Sequence, residues 1–334
     1  MTFKDLGLSP PLVKAVEEKG YTKPSPIQEK AIPHILDGKD ILASAQTGTG
    51  KTAGFTLPVL QHLVETRHPK YRPLRVLVLT PTRELAAQVH DNVREYSKYV
   101  DIKSAVVFGG VKAKPQIATL RSGVDILVAT PGRLLDLHDQ KAVSFKRVDV
   151  LILDEADRMV DMGFVDDIDK IIGRLPEARQ NLLFSATMSD DVRILADSFS
   201  DSKMSNPAVE ISTSPKSTTA PSIDQWLITV DKDTKSALLS HLINDKEWDQ
   251  ALIFIEKKHG AAKLVAQLAK RGIEADAIHG DRSQAMREKV LADFKSGKLK
   301  YLVATGVAAR GLDIGELSRV VNYDLPFKPE EYIH

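Results

Sequence analysis

"DILASAQTGTGKTAGF", residues 40–55, is the stretch on which the fold turns. A short apolar run, Asp40–Ser44, passes into a glycine-rich turn and then into a helical pattern. Read as A-x-x-G-x-G-K-T, Ala45–Thr52 follow the phosphate-binding P-loop pattern, with Ala45 at the first glycine position. Gly48 and Gly50 let backbone N–H groups turn toward phosphate oxygens, and Gln46, Thr47 and Thr49 complete the loop. Lys51 is placed to reach the β- and γ-phosphates, and the Thr52 hydroxyl to hold Mg2+. An isolated glycine-rich turn explains none of the Lys-Thr pair, the strand before it or the helix after it.

Working outward, the same punctuation recurs. "LRVLVLTPT", "SAVVFGG", "VDILVATPG", "VDVLILDEAD" and "NLLFSAT" are short runs apolar on both faces, separated by amphipathic stretches. Such runs predict parallel strands covered by helices on both sides, an α/β fold. Residues 205–222, "SNPAVEISTSPKSTTAPS", are dense in Ser, Thr and Pro and read as a linker. The alternation resumes with "IDQWLITV", "DQALIFIEK", "EADAIHG", "KYLVATG" and "RVVNYDLP", so a second, shorter α/β lobe is expected. The expected division is an entry segment over 1–29, a first lobe over 30–205, a linker over 206–222 and a second lobe over 223–334.

"VLILDEAD" is the natural partner of the P-loop. Its strand ends at Asp154, whose carboxylate can hold Mg2+, and Glu155 beside it can orient an attacking water. Together the two motifs point to hydrolysis of a nucleoside triphosphate. Composition narrows the setting. Forty-six Lys plus Arg against 45 Asp plus Glu leave a formal charge of +1, so a polyanion must be held by local groups. Cysteine is absent, which excludes disulfides and thiolate metal sites. No apolar run approaches the ~20 residues that span a bilayer, so no membrane is expected and the reading is cytoplasmic.

With these residues in view, the chain resembles the DEAD-box ATP-dependent RNA helicases, and most closely their bacterial RhlE-like group. The motifs stand in family order: "GYTKPSPIQ", with Phe3 seventeen residues before Gly20, then "AQTGTGKT", "PTRELAAQ", the Gly109–Gly110 pair, "TPGRLLD", "DEADRMVDMGF", "SAT", "LIFIEKKHG", "HGDRSQAMRE" and "TGVAARGLDI". The resemblance implies two RecA-like lobes, with ATP, Mg2+ and RNA as ligands. It implies that Gln28 reads the adenine edge, with Tyr21 and Phe3 giving an aromatic surface near the base. Pro81, Thr82, Arg83, Gly109, Gly110, Thr130, Pro131, Gly132 and Arg133 are the implied RNA grip of the first lobe. Gln284, Arg287 and Thr305 are that of the second. Arg310 is implied at the catalytic cleft between lobes, Asp313 at the ribose, and Asp157, Ser185, Thr187 and His334 in coupling nucleotide state to RNA. On residue types alone, Arg83 and Arg133 could instead brace helices, and Gln284 and Arg287 could be an exposed polar face. Ribosome assembly and RNA decay are the partners the resemblance suggests.

Two places depart from the family wording: Gly306, where Asp is frequent, and "FIEKK" after its strand. The chain ends "PFKPEEYIH", where Pro329, Glu330 and Glu331 read as a first helical turn. The family pattern continues from His334 as H-R-x-G-R-x-G-R. The sequence is therefore expected to continue, and the chain as written to bind ATP but turn it over poorly, as an ATP-gated RNA-binding fragment.

Overall fold

The computed structural model describes residues 1–46, 48–66, 72–200, 208–213, 223–306, 314, 317–326 and 332, with the side chains of 199 and 200 excepted. Thr47, Arg310, Asp313, His334 and the helical turn expected at 329–331 lie outside the described residues.

Two compact units divide the chain, Met1–Lys216 and Ser217–His334. The first is built on seven parallel strands: β1 (Ile41–Ser44), β2 (Val76–Leu79), β3 (Ser104–Val107), β4 (Ile126–Ala129), β5 (Val150–Asp154), β6 (Gln180–Ser185) and β7 (Val209–Ser212). Their order across the sheet is β3-β4-β2-β5-β6-β1-β7. The apolar-on-both-faces reading accounts for the interior. In β5, Val150 and Ile152 face one core while Leu151 and Leu153 face the other, and β2 divides Val76 and Val78 from Leu77 and Leu79 in the same way. Successive side chains of a strand point to opposite faces, so a strand covered twice must be apolar at every position. Burying one such side chain stabilises the fold by roughly 1.5–3 kcal/mol.

The second unit holds a four-stranded parallel sheet of β8 (Ala251–Ile255), β9 (Ala275–Ile278), β10 (Tyr301–Thr305) and β11 (Val320–Asn322) in the order β11-β8-β10-β9. Its two faces also carry separate cores, one around Leu264 and Val303, the other around Phe294 and Leu302.

Two expectations are corrected. Within the stretch read as linker, Val209–Ser212 form β7, which pairs with β1 from Ile41↔Val209 to Ser44↔Ser212. An edge strand covered on one side needs little apolar content, and Ile211 is its one buried side chain. Conversely, "IDQWLITV" forms no strand: residues 223–230 have no ladder partner among the described residues, and Trp226 and Leu227 are exposed. Alternation supplies a pleated surface but not the partner that makes a strand.

Candidate nucleotide and RNA site

In parallel sheets the loops at the carboxyl ends of the strands form the binding surface. The strand order divides that edge of the first unit. The loops after β5, β6 and β1, neighbours in the sheet, carry the DEAD residues, the SAT residues and the P-loop; those after β3, β4 and β2 carry Gly109–Gly110, Thr130–Arg133 and Pro81–Arg83.

On the nucleotide half, Gly48 (φ 80°) and Gly50 (φ 90°) adopt the left-handed conformation that glycine takes without penalty. Gly50 caps the helix Lys51–Glu65, whose free N–H groups and dipole favour an anion. Lys51 is buried and donates from Nζ to the Ala45 carbonyl at 2.8 Å, so the cation sits inside its own loop. Thr52, half-buried, is the second residue of that helix. Ala45 N donates to Ser185 O at 3.0 Å, which fastens the start of the loop to β6.

Gln28 is buried in the helix Pro26–Leu36. Its Oε1 accepts from Ser25 N at 2.9 Å, and its Nε2 donates to Gly50 O at 3.0 Å. A carboxamide keeps one further acceptor site and one further N–H beyond these, the pair that a bidentate contact to an adenine edge uses. A side chain at Gly50 would run into Gln28 Nε2, so the glycine serves this contact as well as the turn. Of the two aromatics expected near the base, Tyr21 is 40% exposed, with its hydroxyl hydrogen-bonded to that of buried Tyr96, whereas Phe3 is 3% exposed within the core. Phe3 therefore packs here rather than presenting a surface, because the segment before Gly20 folds its apolar residues onto the helix Pro26–Leu36 and its neighbours.

Asp154, Glu155 and Asp157 are three buried carboxylates in four residues, and each is compensated differently. Asp157 accepts at Oδ2 from Ala186 N (3.1 Å), Thr187 N (2.9 Å) and Thr187 Oγ1 (3.0 Å), while its own N donates to Ser185 Oγ at 3.3 Å. Glu155 is paired with Arg158 Nη1 at 2.9 Å. Asp154 has Lys51 as a nearby cation, but burial, and then the charge of Glu155, push its carboxyl up to about 7. An acid so poorly compensated favours a cation. Mg2+ is commonly held by one or two carboxylates together with phosphate oxygens, so Asp154 with the Thr52 hydroxyl fits that ion. The role of Arg158 escaped sequence reading, although its i+3 spacing from Glu155 was visible in "DEADR".

On the RNA half, Thr82 caps the helix Arg83–Tyr96 by accepting from Leu85 N at 3.2 Å, and Pro81 is buried before it. The Arg83 guanidinium lies against Gly110 (φ 75°), where any Cβ would collide with it. Thr130 precedes the helix Pro131–Asp139, with Pro131 at its first position, and a Cβ at Gly132 would make ordinary contact with Asp167. Arg133 donates from Nη2 to Val111 O at 3.1 Å and meets Asp136 at 3.5 Å, while its buried Nη1 has no hydrogen-bond partner. The bracing alternative is thus realised in part, with one donor of Arg133 left over. In the second unit, Gln284 and Arg287 are buried rather than an exposed polar face; Gln284 Nε2 donates to Glu288 at 3.0 Å, and Thr305 closes β10.

Residues 25–195 match the DEAD/DEAH box helicase model and residues 234–334 the helicase conserved C-terminal domain. The chain belongs to the DEAD-box ATP-dependent RNA helicase family. It is 42% identical over 334 residues to the ATP-dependent RNA helicase DeaD of Escherichia coli (strain K12), covering 100% of this chain and 52% of that protein. To the DEAD-box ATP-dependent RNA helicase CshA of Streptococcus pneumoniae serotype 4 it is 43% identical, covering 62% of that protein. The chain thus spans about half to three-fifths the length of these curated relatives. Among solved structures, S. cerevisiae Dbp5 bound to RNA and ADP BeF3 is similar over all of this chain and 84% of its own, at 32% identity and a TM-score of 0.88. A DEAD box protein from the hyperthermophile Methanococcus jannaschii matches at 38% identity and a TM-score of 0.60, covering 100% of this chain and 88% of its own. These likenesses place two RecA-like domains in the DEAD-box core. Among the described residues no helix is long and apolar enough to cross a membrane.

Proposed function

We propose that this chain is the ATP- and RNA-binding core of an ATP-dependent RNA helicase that separates short RNA duplexes locally. The observation that carries the reading is the divided carboxyl edge: three adjacent strand ends gather Lys51, Asp154, Glu155 and Asp157, and the next three gather Thr82, Arg83, Gly110 and Arg133.

In this reading Gln28 selects adenine, since guanine presents the O6 acceptor where adenine presents the N6 donor. The P-loop amides hold phosphate, and Lys51 exchanges the Ala45 carbonyl for the β- and γ-phosphates. Asp154 and Thr52 hold Mg2+, which when bound neutralises charge on the transferring phosphoryl group. Glu155 orients the attacking water, and Asp157, through Ser185 and Thr187, ties that reaction to the loop after β6. The half-buried Arg133 and the exposed, left-handed Gly110 suit a sugar-phosphate track, which carries little sequence information. Gln284, Arg287 and Thr305 are the RNA contacts of the second unit, with Arg310 and Asp313 serving the nucleotide and His334 the coupling. A ligand that engages both units favours the arrangement it fits, so ATP and RNA assist each other's binding by linkage, and hydrolysis releases the RNA. From the wording of its motifs we further propose that the chain stands with the RhlE-like group, acts in the cytoplasm and serves ribosome assembly or RNA decay.

The test is phosphate release with saturating RNA, alongside strand separation of a short RNA duplex, on the natural gene product and on residues 1–334. Turnover stimulated by RNA and not by DNA of the same sequence is expected. Equal stimulation by DNA, or RNA binding that ignores ATP, would overturn the proposal. ATP-dependent RNA binding without turnover would identify an ATP-gated clamp instead.

A further inference from the structure

We infer that Arg158 is a positioning residue for Glu155, holding its carboxylate in the orientation that the attacking water needs. The inference rests on the reading of Glu155 given above. Glu155 has φ 58° and ψ 53°, a left-handed conformation that is unfavourable for a residue with a Cβ. Arg158 grips it at two points. Its backbone N–H and that of Met159 donate to the Glu155 carbonyl, both at 3.1 Å, and its guanidinium Nη1 donates to Glu155 Oε2 at 2.9 Å. Main chain and carboxylate of one residue are thus fixed by main chain and guanidinium of another, across a single turn of the helix Ala156–Asp161.

Charge explains why such a grip is needed. Glu155 stands between Asp154 and Asp157, all three buried, and like charges at that spacing push the middle side chain away. Asp157 is met by the amides of Ala186, Thr187 and Arg158 and by the Thr187 hydroxyl, and Lys51 acts on Asp154. Arg158 supplies the charge for Glu155, engaging one of its two oxygens. Stability does not account for the arrangement. A buried ion pair is often no better than a well-packed apolar replacement, so a 4%-exposed arginine here is better explained by what it orients.

The experiment compares Arg158→Met, Arg158→Lys, Glu155→Gln and the double variant Glu155→Gln/Arg158→Met in the natural gene product, with RNA saturating. Arg158→Met is expected to lower kcat by about tenfold to a hundredfold, the scale of an ångström of misplacement, with the KM for ATP within about twofold; the melting temperature falls, because the buried Glu155 carboxylate loses its counter-charge, and recovers in the double variant, where the side chain at 155 is neutral. Arg158→Lys, which keeps the charge without the planar fork, is expected to recover part of the loss. The double variant is expected to be no slower than Glu155→Gln alone, because a positioning residue has nothing left to position. Wild-type kcat in Arg158→Met while Glu155→Gln is inactive would overturn the role of Arg158 alone. Full activity in Glu155→Gln would overturn the reading of Glu155 itself. A melting temperature that stays low in the double variant with kcat and KM changing together, or losses that multiply there, would show that Arg158 acts independently of Glu155.

Discussion

The two halves of one sheet edge are made of the same parts, short loops leaving parallel strands, yet they treat charge in opposite ways. The half formed by β5, β6 and β1 buries three carboxylates and a lysine, meets Glu155 with Arg158, Asp157 with backbone amides and the Thr187 hydroxyl and Lys51 with the Ala45 carbonyl, and leaves Asp154 the least compensated. The half formed by β3, β4 and β2 sets two arginines against glycine and carbonyl groups near the surface, and leaves one guanidinium nitrogen without a partner. A buried, tightly paired site suits chemistry, where groups must not wander. A looser basic rim suits a polymer whose sequence is not to be read.

If that division is real, each half can be broken without the other. The largest effect is expected from Lys51→Ala, which removes the cation from the P-loop: RNA-stimulated phosphate release falls about a hundredfold or more, while RNA binding without nucleotide is unchanged. Loss of both together, in a titration of labelled RNA, would join the two halves into one. Arg133→Ala acts on the other side, weakening RNA binding about tenfold and reducing the slope of log affinity against log salt by about 1. ATP affinity in the absence of RNA should not move, and a shift in it would argue that Arg133 serves the nucleotide. Gly110→Ala tests the packing that aims Arg83. The new methyl group meets both an unfavourable φ and the guanidinium, so a melting temperature lower by roughly 2–8 °C and weaker RNA binding are expected, again at constant ATP affinity.

The smallest effect concerns the least compensated carboxylate. Folding raises Asp154 from its ordinary value of 3.8 to about 7. The folded state therefore holds a proton that the unfolded state releases, and the stability tied to it is complete below 3.8 and lost as pH rises through about 7. Asp154→Asn, neutral throughout, should gain on the parent between pH 5 and pH 8, by about 2–4 °C in melting temperature without nucleotide or metal. A gap that stays constant with pH would show that the carboxylate is better compensated than its surroundings indicate.

Much of this was legible in the sequence where a residue's role is local. Strands buried on both faces announce themselves because every position must be apolar, and the P-loop does so because glycine, lysine and threonine act within eight residues of one another. What stayed hidden depends on partners far along the chain. "VEIS" carries one buried side chain and reads as linker until β1 is seen beside it; "IDQWLITV" alternates like a strand but finds no ladder among the described residues. The burial of Phe3 follows from tertiary packing, whereas Arg158 lies one helical turn from Glu155, and what the sequence does not display is that this ordinary spacing is buried and therefore becomes a specific contact.

The placement of β7 has a mechanical consequence. After β6 and the helix Asp190–Ser200 the chain lies alongside the P-loop strand as β7, and Thr213 N closes the ladder on Ser44 O, one residue before Ala45. The connector's near anchor is therefore a row of parallel hydrogen bonds, which a pull along the strand axis loads together in shear instead of unzipping one by one. Tension on the chain beyond Thr213 is delivered to the strand that ends in the nucleotide loop.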